Sequence, residues 1–224
     1  MHPGAVLHLV RHGQSTWNAA GRVQGQSARA GGLTAAGRAE ARRSAALLTE
    51  RHPDAGRIVT SDLDRARETA EIIAGVLGLP VEPDPDLREQ RLGDLEGRRF
   101  DDRMGTGTVQ DAVDRLWRHP HRRPRGGESV ADLYLRVRRA LARHRARLPA
   151  RELVVVTHGG PVRVATATAD PRTCRPVPRR AVGNASISSL DGSWTTPPPG
   201  GAGAGCRCAA GHAAPSASLA RGGP

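Results

Sequence analysis

Two histidines in this chain each follow an apolar run and precede a glycine. His12 comes after Val6-Leu7-His8-Leu9-Val10 and Arg11, and His158 after Leu153-Val154-Val155-Val156 and Thr157. Arg65 lies just beyond a third apolar run that ends at Thr60, and Glu89 sits in a stretch rich in proline and charge. Neutral imidazole, with an ordinary pKa of ~6.5, is a nucleophile at pH 7 and needs no activating base. A guanidinium offers a planar fork of donors that matches phosphate oxygens. One carboxylate beside such a cationic site would suit proton transfer to a leaving oxygen. Asn18 and Gln24 add neutral donors. Together these residue types fit chemistry on a phosphoryl group.

That chemistry requires elements that bring distant residues to one place. Val6–Val10 reads as a short buried strand. Residues Thr34 to Arg51 read as a helix capped by Thr34, with Ala41, Ala45 and Leu48 on one face. Arg57–Thr60 is a second strand, followed by Ser61-Asp62 as cap chemistry for a helix that carries Ala66, Thr69, Ile73 and Val76 and stops at Gly78-Leu79-Pro80. Residues 80–108 read mainly as loop, and Val109 to Trp117 as a short helix. Ser129 and Asp132 form a capping-box pattern ahead of a stripe made by Val130, Leu133, Val137, Leu141, His144 and Leu148. The arginines at 136, 138, 139, 143, 145 and 147 mostly avoid that stripe and read as a solvated face. Leu153–Val156 is the strongest buried-strand pattern, and residues 184–190 read as a last strand. Strands alternating with helices predict an α/β domain of three layers, α/β/α, with a mostly parallel central sheet. Ligands bind beyond the carboxyl ends of strands in such sheets, and both His12 and His158 stand there.

Bulk composition narrows the classes. The chain has 224 residues, 38% hydrophobic and only 2% aromatic, and a formal net charge of +12. All of its basic side chains are arginine, spread along most of the length. That spread, with so few aromatics for stacking, argues against a nucleic-acid partner. Three cysteines at 174, 206 and 208 predict a reduced, cytoplasmic chain rather than a disulfide framework. No run approaches a membrane span. The division expected is a catalytic domain over 1–194 and a Pro/Gly/Ala-rich tail over 195–224, too poor in apolar residues to order itself.

Several segments together resemble the histidine phosphatase superfamily, also called phosphoglycerate-mutase-like. They are "RHGQSTWN" at 11–18, "RVQGQ" at 22–26, "LTAAGRAEA" at 33–41 and "SDLDRARETA" at 61–70. They continue with "LREQRLGDLEG" at 87–97, "GGES" at 126–129, "VVTHGG" at 155–160 and "NASIS" at 184–188. The resemblance implies a phosphoglycerate-mutase-like fold and a phosphohistidine on His12, with Glu89 as general acid and then base. It implies that Arg11, Arg65, His158, Asn18 and Gln24 contact the phosphoryl oxygens, and that no metal or other cofactor takes part. The expected partner is a small-molecule phosphomonoester, with neither membrane nor nucleic acid; the oligomeric state is open, a dimer included.

The segment "EQRLGDLEG" looks more like the phosphatase branch than like cofactor-dependent phosphoglycerate mutases, which form the alternative. "GNAS" at 183–186 with "RLGD" at 91–94 is similar to glucosyl-3-phosphoglycerate phosphatases, which implies a phosphoglycerate derivative as substrate. Two departures stand out: "SARAGG" at 27–32 where relatives carry Asp and Pro, and a poorly apolar segment after His158. A metal hydrolase using His8 and His12 is excluded by reach, since four residues along a strand span ~13 Å. His119 and His121 flank a proline and lack a third partner. Specificity is expected in 98–126, whose arginines would meet a second anionic group on the substrate.

Overall fold

The computed structural model describes residues 6–147, 152–167 and 179–190. Its centre is a five-stranded sheet built from β1 (Leu7–Arg11), β2 (Ala55–Thr60), β3 (Val81–Pro83), β6 (Glu152–Thr157) and β7 (Ile187–Leu190), in the order β3-β2-β6-β1-β7. The first four named are parallel, and β7 runs antiparallel along β1. A two-stranded hairpin, β4 (Arg103–Met104) with β5 (Gly107–Thr108), lies apart from it. The architecture is the expected α/β fold.

Side-chain alternation assigns the layers. On one face Val10, Ile58, Val154 and Val156 pack with Ala45 and Leu48 of α2 (Ala35–Arg51) and with Ala66, Ala70 and Ile73 of α3 (Asp64–Leu77). On the other, Leu7, Leu9, Val59, Leu153 and Val155 pack with α4 (Val109–Arg118), α5 (Val130–Ala146) and α6 (Gly159–Ala165). A strand covered on both faces reads as a continuous apolar run, which is why β6 was so plain in the sequence. Each fully buried Val or Leu there contributes ~1.5–3 kcal/mol.

Helix starts follow their caps. Thr34 accepts from Gly37 N–H, and Ser129 with Asp132 and Thr108 with Asp111 close reciprocal capping boxes. A four-residue helix, α1 (Thr16–Ala19), is boxed in the same way by Ser15 and Asn18. The start of α3 differs from expectation: its N-cap is Leu63, without a side-chain bond. Val76 is 53% exposed and does not belong to that helix's buried face. Residues 80–108 contain β3 and the β4–β5 hairpin, so they are less irregular than expected. The last strand is shorter than 184–190, because Ala185 adopts φ 53° in a turn ahead of it. Of the segment after His158, α6 is buried in all but Arg163, while residues 168–178 lie outside the described residues. The stripe of α5 is buried from Val130 to His144; Leu148 and the 195–224 tail lie outside the described residues.

Among the described residues no helix is long and apolar enough to cross a membrane. His8 and His12 do not converge. His8 instead meets His52 and Glu152, its Nε2 lying 3.1 Å from the Glu152 carboxylate and its Nδ1 2.8 Å from Ser189 Oγ. His119 caps the end of α4.

Candidate active site

The register of β1 against β6 pairs Arg11 with Thr157, so the chain leaves both strands at the same level. His12 N–H then donates to Thr157 O at 2.9 Å, and the His12 and His158 rings meet edge to face with centroids 5.1 Å apart. The turn after His12 lies on α2: a Cβ on Gly13 would come within 2.3 Å of Gly37 O, and one on Gly37 within 2.1 Å of Gln14 O. Neither position has room for a side chain, which explains both glycines.

His12 is fully buried and its protons are assignable. Nδ1 lies 2.7 Å from Gly13 O, an acceptor only, so Nδ1 carries the hydrogen. Nε2 is therefore the lone pair, and Arg65 Nε–H donates to it at 3.3 Å. Burial, then the charges of Arg65 and Arg11, hold the His12 pKa well below 6.5. The ring is thus a neutral imidazole with its Nε2 lone pair on the side of the cations, where it accepts from Arg65.

His158 is buried as well, and its pKa also falls well below 6.5, first through burial and then through Arg65, His12 and Arg11. Its Nε2 lies 2.8 Å from Ser61 Oγ, which already accepts from Leu63 N–H. When the Ser61 hydroxyl donates to Nε2, the ring proton sits on Nδ1. That Nδ1 is buried without a partner among the described residues. An unmet buried donor costs ~1–3 kcal/mol, and an anion at this spot would satisfy it.

Arg65, in the first turn of α3, is 2% exposed; burial pushes its guanidinium down to about 10. Its Nη2 donates to Gly25 O at 2.8 Å. Gly25 has φ +49°, and a Cβ there would collide with the Glu96 side chain. Arg11 is only partly where its sequence position suggested: one guanidinium nitrogen donates to Val182 O, while Nε is buried and unpartnered among the described residues.

Glu89 is held by backbone. Gly160 N–H donates to Oε1 at 3.0 Å and to Oε2 at 3.2 Å, and Gln90 N–H donates to Oε1 at 2.8 Å. Asn18 and Gln24 both turn their amide oxygens to Ser15 Oγ, at 3.1 and 2.7 Å, which leaves their NH₂ groups as donors. A cavity of about 250 Å³ opens over these groups, with Arg11, Asn18, Gln24 and Glu89 in its wall. His12, Arg65 and His158 are buried next to it: Gly25, which Arg65 holds, and Gly159, which follows His158, both line it.

The residues expected from the sequence are therefore gathered at one strand-end site. Several that complete it were missed. Arg136, read as part of a solvated face, ion-pairs with Glu128 and donates to the carbonyls of Asp86, Arg88 and Glu89, fixing the loop that carries Glu89. Gln26 donates to Glu89 O at 2.9 Å, and Thr157 Oγ1 to Leu87 O at 2.6 Å. The GES segment hinted at the Glu128 partner, but the carbonyl contacts leave no trace in sequence.

The arginines of 98–126 do not line the cavity. That segment contributes Phe100, Gln110, Val113 and Trp117, and the outer cations are Arg22, Arg163 and Arg179. The expected specificity region is present at the mouth, but its charged side chains point elsewhere: Arg99 pairs with Asp101, and Arg123 with Asp132.

The model of the histidine phosphatase superfamily (branch 1) matches residues 7–196. The chain belongs to that superfamily. It is 38% identical over 160 residues to phosphoglycerate mutase-like protein 4 of Arabidopsis thaliana, covering 71% of this chain and 68% of that one. It is 35% identical over 193 residues to a probable phosphoglycerate mutase GpmB of Erwinia tasmaniensis, covering 83% and 84%. Among solved structures, a mycobacterial glucosyl-3-phosphoglycerate phosphatase in complex with VO3 superposes with a TM-score of 0.70 at 31% identity, covering 84% of this chain and 91% of that one. The chain is thus a histidine phosphatase superfamily enzyme, phosphatase or mutase, and its two buried histidines and two arginines meet at the ends of β1 and β6 and the start of α3.

Proposed function

We propose that the chain is a phosphomonoester hydrolase that works through a phosphohistidine on His12 and uses no metal. The observation that carries this reading is the His12 ring itself: neutral, with Nδ1–H tied to Gly13 O and the Nε2 lone pair directed among cations. Arg65, Arg11 and the Nδ1–H of His158 hold the phosphoryl oxygens, with the amides of Asn18 and Gln24 as further donors. These preorganised groups match the charge that spreads over the equatorial oxygens in the transition state.

In the first step the Nε2 lone pair attacks phosphorus, the ester P–O bond breaks, and the leaving oxygen takes a proton from Glu89. In the second, the Glu89 carboxylate takes a proton from a water whose oxygen attacks phosphorus; a P–O bond forms, the P–N bond breaks, and inorganic phosphate leaves with His12 neutral again. Gly160 and Gln90 hold the carboxylate at the cavity wall for both transfers. The substrate class is a small phosphorylated metabolite, with a phosphoglycerate derivative favoured by the "RLGD" and "GNAS" segments and by the likeness to a glucosyl-3-phosphoglycerate phosphatase.

The relatives named as mutases support a second reading, in which the phosphoryl group returns to the substrate. Quenched-flow with a radiolabelled phosphomonoester tests both. A base-stable, acid-labile label on the wild type, absent from His12→Asn, with phosphate released at the rate of turnover, is the expected result. Isomerised product without phosphate release makes the mutase reading correct. Full activity in His12→Asn rules out both.

A further inference from the structure

Arg163 is the most interior of the outer cavity cations that lack an ion pair among the described residues, with Glu89 and Asp114 the nearest opposite charges acting on it. It stands in α6, and among the described residues it forms no ion pair. Its Nε–H donates to Arg180 O at 2.6 Å, and its guanidinium lies 5.6 Å from the centroid of the Trp117 ring. Of the other outer cations, Arg179 is paired with Asp114 at 2.6 Å, and Arg22 donates to Gly97 O at 2.7 Å. Burial is the main cause that brings the Arg163 guanidinium down to about 10; the Glu89 charge opposes this, and Arg179 and Arg11 reinforce it. Glu89 forms no ion pair with it; its oxygens accept from the backbone of Gly160 and Gln90.

A partly desolvated guanidinium without an anion is costly to keep in a fold. The surroundings show where the anion belongs. A Cβ on Gly159 would lie 3.0 Å from Arg163 Nη1, so the guanidinium overlies the residue that follows His158. The guanidinium lies over the Trp117 ring in a cation–π contact, and a lysine there would lack the planar fork. Phe100 and Val113 add apolar wall next to it. Arg163 thus stands in the cavity wall held against Trp117 and the Arg180 carbonyl, with its fork not taken up by a carboxylate of the described residues.

We propose that Arg163 binds a carboxylate carried by the phosphomonoester, making it the residue that selects doubly anionic substrates. This rests on the phosphomonoesterase reading above for its catalytic readout, though not for its binding readout. The test compares 3-phosphoglycerate with glycerol 3-phosphate, which carry the same phosphoryl group and differ by a carboxylate against a hydroxymethyl group. Losing a charge-assisted bond predicts that Arg163→Gln raises the KM for 3-phosphoglycerate by about 10- to 100-fold, and raises that for glycerol 3-phosphate at least about tenfold less. Arg163→Lys, which keeps charge without the fork, should fall between. Equal losses on both compounds, or none on either, overturn the proposal.

Should the wild type hydrolyse neither compound, the hydrolase reading fails while the subsite remains testable by calorimetry. The wild type then binds 3-phosphoglycerate more tightly than glycerol 3-phosphate, and Arg163→Gln removes that preference. Equal affinity of the wild type for the two compounds overturns the subsite. Unchanged thermal melting of both variants establishes that the fold is intact.

Discussion

His8 and His12 sit four positions apart at the two ends of β1, and their surroundings are opposite in sign. Both are buried, and burial lowers the pKa of both. His8 finds its partners within the chain: the Glu152 carboxylate, the Ser189 hydroxyl and the His52 ring at 3.8 Å. His12 finds one carbonyl and then only cations, with the unmet Nδ1 of His158 nearby. His144 follows the pattern of His8, bonded at 2.7 Å to Asp84. A buried histidine with a carboxylate is part of the scaffold; one among arginines lacks an anion that the chain does not contain. The difference lies in which groups remain unsatisfied, not in burial.

The largest expected effect sits at the cationic end. Arg65→Gln removes the donor to Nε2 and a fixed charge on the phosphoryl group, and should lower kcat/KM by about 10²–10³-fold. A loss under about tenfold would mean that the cations around His12 are not the working part of the site. Next in size is Gly160→Ala. Its new Cβ would lie 2.1 Å from Glu89 Oε1, so the carboxylate must move. Misplacement by about 1 Å costs about 10²-fold, and the loss should appear in kcat more than in KM. A kcat equal to wild type would separate Glu89 from the proton transfers.

The pH dependence of stability sharpens the same contrast. His8, His12 and His158 all have folded pKa values below 6.5, the value they take when unfolded. Below that pH the unfolded chain binds protons that the folded chain refuses. Stability from these groups is thus complete above about 6.5 and declines as pH falls beneath it. Saturating inorganic phosphate should offset part of this decline, because a bound anion tolerates protonated His12 and His158; His8 has no such ligand. Melting temperatures measured from about pH 7 down to pH 5, with and without phosphate, check this through the linkage of binding to folding. A decline that phosphate leaves untouched would place the whole effect at the scaffold histidines, His8 and His144, whose pKa values burial also lowers.

Much of the catalytic end was legible because its signals are local. An apolar run that stops at Arg-His-Gly or Thr-His-Gly announces a strand end with chemistry, and Ser129 with Asp132 announces a helix start three residues apart. Other features depend on contacts across the fold. Ser61 looked like a cap for α3, yet its hydroxyl serves His158 across 97 positions. Arg136 looked solvent-facing by helical spacing, yet it reaches three carbonyls of the Glu89 loop. The arginines of 98–126 drew attention by number alone, whereas the cavity cations come from elsewhere, Arg163 among them in a segment that read as a poor apolar helix. Charge read along a chain does not say which charges cancel.

The smallest expected effect tests the scaffold end. Glu152 is 23% exposed at its side chain and lies 3.1 Å from His8 and 3.4 Å from His52. Glu152→Gln keeps an acceptor for the His8 Nε2–H while removing the charge, so the loss should be about 1 kcal/mol of stability. In a domain of this size that corresponds to a melting temperature lower by about 2–4 °C. The His12 site lies beyond the other end of β1, and its groups share no partner with Glu152, so effects at the two ends should add independently. Combining Glu152→Gln with Arg65→Gln should therefore leave the kcat/KM of the single Arg65→Gln variant unchanged. A deeper loss of activity in the pair would show that the carboxylate end of β1 sets the geometry of the cationic end, and the two would then have to be read as one site.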